Sequence, residues 1–85
     1  MSKPKQDQIL QKQQTRFDNI RGLIEGEMAR YHIDNDMLAE KAYITSRTMR
    51  DKRRNPERLT IPELFRIADV LKIKIILKRE EGPDE

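Results

Sequence analysis

Phe17, Ile20, Ile24, Met28 and Tyr31 are spaced three, four, four and three apart, so they share one face of a helix predicted over 15–31. Gly22 and Gly26 fall outside that stripe. Each weakens the helix by roughly 1 kcal/mol against Ala, and each is a place where another element could come close. Leu38, Ala39 and Ala42 give a second helix, over 34–42, a small apolar face. Asp34 is its expected N-cap, with Asn35 the alternative. Tyr43-Ile44 interrupts the pattern, and Thr45 or Ser46 can cap a third helix running to 54. On that helix only Met49 is apolar. Such a helix cannot sit in a core, so it must lie on the surface, held by Ile44 and Met49, with its polar side turned outward.

Asn55-Pro56 ends that run. Thr60 then precedes Ile61-Pro62-Glu63, the signature of a capped start with Pro in the first turn and Glu reaching back. Ile61, Leu64, Phe65, Ala68 and Leu71 form one stripe, widened by Ile67 and Val70. This is the greasiest helix, and Phe65 is expected to pack against the first one. In KIKIILK (72–78) the apolar residues alternate with lysines, which predicts a short β-strand at 73–78. Helix continuation stays open as the alternative. The fold class expected is all-α, a small domain of four to five helices over 15–72 with that C-terminal strand. A flexible Gln- and Lys-rich arm is expected at 1–14, although Ile9-Leu10 could start a helix that runs on into the next segment. A disordered acidic tail is expected at 79–85.

Composition narrows the chemistry. The chain has 85 residues, 35% hydrophobic and 39% charged, which fits one small domain with a heavily charged surface. It has no Cys, so neither a disulfide framework nor a thiolate metal site is available. No apolar run is long enough for a signal peptide or a membrane span, and a cytoplasmic setting with no membrane partner is expected. His32 is the single histidine, and a surface or capping role suits it. With no nucleophile–base set and no Gly-rich phosphate loop, neither an enzyme nor a cofactor is expected. Net charge is only +3, but residues 45–58 hold six basic residues against two acidic ones. A basic excess on one element is the footprint of a polyanion binder.

Leu38-Ala39-Glu40-Lys41, Ile44-Thr45-Ser46-Arg47-Thr48-Met49, Asn55-Pro56 and Ile61…Ile67-Ala68-Asp69-Val70-Leu71 stand in a familiar order. From about Phe17 to Leu71 the chain resembles the lambda-repressor-like helix-turn-helix family (Cro, CI and the broader XRE-type regulators). The resemblance implies a sequence-specific double-stranded DNA-binding transcriptional regulator, a repressor in the first instance, of phage, mobile-element or bacterial origin, associated with the nucleoid. It implies base contacts from Thr45, Ser46, Arg47 and Arg50 in the major groove, and a phosphate contact from Asn35. Lys52, Arg53, Arg54 and Arg58, beyond the last apolar anchor, are expected on the DNA backbone. A homodimer joined through Ile73, Ile75 and Leu77 would then sit on a near-palindromic operator. The alternative is a protein-interaction module of the same fold, such as an antitoxin or an antirepressor-like factor. Two positions depart from the family pattern. Tyr43 replaces the usual turn Gly, so the turn is expected to be opened or reshaped, and Lys52 replaces an aliphatic residue.

Overall fold

The computed structural model describes residues 5–80. It is all-helical: α1 (Lys5–Tyr31), α2 (Asn35–Ala42), α3 (Ser46–Arg54) and α4 (Ile61–Leu71), with one 3-10 turn at Pro56–Arg58. Three of the helix starts are capped as their sequences require. Asp34 Oδ1 accepts from Met37 N at 2.8 Å, and Thr45 Oγ1 accepts from Thr48 N at 3.2 Å. Thr60 and Glu63 form a reciprocal capping box.

The helix ends share one device. His32 (φ 56°), Tyr43 (φ 59°) and Lys72 (φ 58°) are all left-handed, and none is Gly. Each is followed by Ile. The N–H groups of Ile33, Ile44 and Ile73 reach back to the carbonyls of Met28, Ala39 and Ala68 at 2.9, 2.9 and 2.8 Å. That is the six-to-one bond of a Schellman cap, and the isoleucine after the bend joins the hydrophobic cluster that holds Met28 and Ala39. The turn after α2 is therefore not opened by Tyr43. A left-handed non-Gly residue costs about 1–2 kcal/mol, and the two backbone bonds and the packing of Ile44 offset it. The Tyr43 ring stays in solvent, 85% exposed.

The core is built from Ile24 and Met28 of α1, Leu38, Ala39 and Ala42 of α2, Met49 of α3, and Ile67, Ala68 and Leu71 of α4. Ile20, Ile33, Ile44, Leu59, Val70 and Ile73 pack around it. Arg66 of α4 donates to the carbonyl of Ala42 at 2.7 Å, which satisfies the end of α2.

Four expectations change. First, α1 begins at Lys5, not at 15, so most of the expected arm is helix; residues 1–4 lie outside the described residues. The early turns carry exposed Ile9 and Leu10. Second, the buried stripe of α4 is rotated. Ile67, Ala68 and Leu71 face the core, while Ile61 is 67% and Phe65 44% exposed, so Phe65 is not a core residue. Third, residues 73–80 contain no strand. The left-handed Lys72 stops the helix, which closes the continuation alternative; no described residue pairs with the segment beyond it, and the expected partner strand is that of a second copy. Of the expected pairing residues, Ile73 joins the core, Ile75 is 37% exposed and Leu77 87% exposed. Of the expected tail, residues 81–85 lie outside the described residues. Fourth, nothing among the described residues lies within 4 Å of where a Cβ would stand on Gly22 or Gly26, so no other element comes close at either.

Candidate nucleic-acid interface

α3 has nine residues and one buried apolar side chain, Met49. Apolar burial alone cannot hold it, and polar side chains on its inner face supply the rest. Lys52 Nζ lies 2.7 and 2.8 Å from the two carboxylate oxygens of Glu63. Both side chains are less than one-fifth exposed. The Lys52 ammonium, and after it the Thr60 N–H, hold the Glu63 carboxyl below its ordinary value. On the next position Arg53 Nη2 grips both oxygens of Glu25 in α1 at 2.9 and 2.8 Å, and its Nη1 donates to Asn35 Oδ1 at 3.0 Å. Asn35 in turn donates to the carbonyl of Ser46 at 2.9 Å. One amide thus joins the start of α2 to the start of α3 and orients the arginine that reaches α1.

These bonds redistribute the expected site. Lys52 and Arg53 face the body of the protein and act as clamps, so neither is presented to a phosphate. Asn35 is half-buried with its amide engaged at both ends, so it too serves the scaffold. The Ser46 hydroxyl donates to Asp36 Oδ1 at 2.7 Å, and the Thr45 hydroxyl is the N-cap acceptor, which ties both to local structure. Arg58 pairs with Asp51 at 2.8 Å on an open surface.

What remains is a ridge. Arg47, Arg50, Asp51 and Arg54 are exposed, spaced as neighbours along one helical face. Arg47, Arg50 and Arg54 make no ion pair with a described residue. Their Cα positions span about 10 Å along the helix axis. Asp51, the one acid on the ridge, is turned to Arg58. The ridge can form bidentate hydrogen bonds with a base edge or a phosphate.

Sequence reasoning missed the clamps. A signal for one existed: Lys52 lies one turn beyond Met49, the only apolar anchor of α3, and Glu63 sits in the first turn of α4. No spacing rule joins the two across eleven positions. His32 is exposed at the end of α1, and among the described residues no group of His, Cys, Asp and Glu could hold a metal ion. No helix of the described residues is long and apolar enough to cross a membrane. No protein-family model, no curated protein and no solved structure matches the chain, so the case for what it does rests on the surface that α3 presents.

Proposed function

We propose that the chain is a DNA-binding regulator that sets α3 into the major groove of double-stranded DNA. One observation carries this reading. The basic residues of α3 divide by face: Lys52 and Arg53 are consumed in holding the helix, while Arg47, Arg50 and Arg54 stand outward without an ion-pair partner among the described residues. A helix clamped at its back and arginine-rich at its front suits a groove roughly 12 Å wide. The α2–α3 unit, with its tight left-handed bend, has the form in which the early residues of the second helix reach base edges. Arg47 and Arg50 then read bases, Arg54 meets a phosphate, and Arg58 holds Asp51 away from the groove.

Selection of bound fragments from random duplex DNA, followed by affinity measurements over a salt series, tests it. Arg47→Ala should weaken the selected site by about 1–3 kcal/mol and relax preference at one base pair. Equal losses on selected and random duplexes would make Arg47 a phosphate contact instead. No retention of any duplex at low salt would end the DNA reading.

A further inference from the structure

On the side of the molecule formed by α1, α4 and the chain end, a cavity of about 230 Å³ opens between Ile20, Leu23 and Ile24 of α1, Leu64 of α4, and Ile73 and Ile75. Among the described residues its only charged lining side chain is Lys74. The depression continues along α1 past Ile76 and Leu77, where Arg16 and Lys78 border it. On the other side it meets Phe65 and Asp69. Leu23 is 48% and Ile76 65% exposed, so this is an apolar strip left in water. Contiguous exposed apolar surface with a polar rim marks an interaction site.

We propose, beyond the DNA reading, that this groove docks an acidic amphipathic segment of a protein partner, a helix with large apolar side chains one turn apart and carboxylates beside them. The rim selects the charge: Arg16, Lys74 and Lys78 stand against the single Asp69. The apolar floor selects the anchors, spaced as a helix lying in a groove presents them. Residues 81–85 do not fit, because Glu81-Gly82-Pro83-Asp84-Glu85 carries no large apolar side chain. A second copy would bring a face of the same sign to the seam, three basic residues against one acid on each copy, and like net charge opposes association. Nucleic acid gains nothing from an apolar floor.

A random dodecapeptide library displayed on phage, panned against the intact chain, tests the proposal. The expected result is a consensus of Asp or Glu with Leu, Phe, Ile or Met three and four positions apart. The synthetic consensus peptide should lose at least about tenfold in affinity, roughly 1.4 kcal/mol, for Leu23→Asp and for the double variant K74E/K78E. Both variants alter exposed positions. Arg47→Ala should bind the peptide as the wild type does. No consensus, a consensus without acids, or a peptide that binds both groove variants unchanged would overturn the proposal. So would a wild-type dimer in sedimentation that Leu23→Asp dissociates, since a second copy would then be the occupant.

Discussion

α3 and α4 are helices of nine and eleven residues packed on the same core, and they are held by different forces. α4 buries Ile67, Ala68 and Leu71 and partly buries Leu64 and Val70. Each large side chain fully buried there is worth about 1.5–3 kcal/mol. α3 buries Met49 alone and relies on Lys52–Glu63 and on Arg53 with Glu25 and Asn35. The difference teaches that a basic residue on a surface helix has two possible tasks, and its face decides which. Turned inward, it replaces the apolar anchors that the helix lacks. Turned outward, it is available to a ligand. α3 uses both faces, so its charge count overstates the charge it offers.

The sharpest break comes from the apolar anchors. Ile67→Ala and Met49→Ala should each cost about 2–5 kcal/mol in urea denaturation. Their local consequences should differ. α4 keeps Ala68 and Leu71, whereas α3 loses its only buried apolar side chain. Amide exchange in Met49→Ala should therefore show α3 opening before the rest of the molecule; uniform exchange across α3 and α4 would show that the polar clamps suffice.

Next come the clamps. Lys52→Met leaves Glu63 without its ammonium and should cost about 1–3 kcal/mol at pH 7, less than for a fully buried pair because both groups retain some exposure. The pH dependence follows from the lowered Glu63 value. A carboxylate whose folded value is depressed adds stability that is fully present above its unfolded value and is lost as pH falls through the folded one. The wild type should therefore lose stability below its ordinary value of 4.5, chiefly with the Lys52 bond and then with the Thr60 cap. Lys52→Met should lose less over the same range, and urea midpoints at neutral and acid pH would measure the gap.

A smaller contrast separates two adjacent arginines. Arg53→Ala should lower stability by about 1 kcal/mol through the lost hydrogen bonds and leave the salt slope of DNA binding unchanged. Arg54→Ala should do the reverse, flattening that slope by about 0.9 with little change in the urea midpoint. Matching slopes for the two variants would erase the inner–outer division. The smallest effect lies far from α3. Gly22→Ala or Gly26→Ala should stabilise α1 by about 0.5–1 kcal/mol in thermal melts, since an added methyl meets open space.

The helices and their caps were legible because they depend on local chemistry. Asp34, Thr45 and Thr60 announce three starts, and the periodicity of Ile24, Met28, Leu38, Ile67 and Leu71 locates the core. What was not legible involves partners distant in sequence. Residues 45–58 read as one basic patch, because nothing local says that Lys52 meets Glu63 or that Arg53 meets Glu25, twenty-eight positions away. The alternation in 72–78 promised a strand, but alternation fixes only which side chains could share a face; a ladder needs a second backbone. Phe65 stood on a plausible stripe, and the burial of Ile67 rotated the helix by enough to leave it half in water.

The three left-handed helix ends bear on how this sequence could drift. His32, Tyr43 and Lys72 point their side chains into solvent, and their neighbours Ile33, Ile44 and Ile73 point theirs inward. The residue that makes each bend is therefore not the residue that specifies it. In a saturation library sorted for folded protein, the bend positions should accept most side chains, disfavour β-branched ones and proline, and enrich Gly and Asn. The following position should accept little beyond large aliphatics. A lineage could exchange all three bend residues and keep the chain's path, which makes the isoleucine after each bend the more durable marker of this architecture.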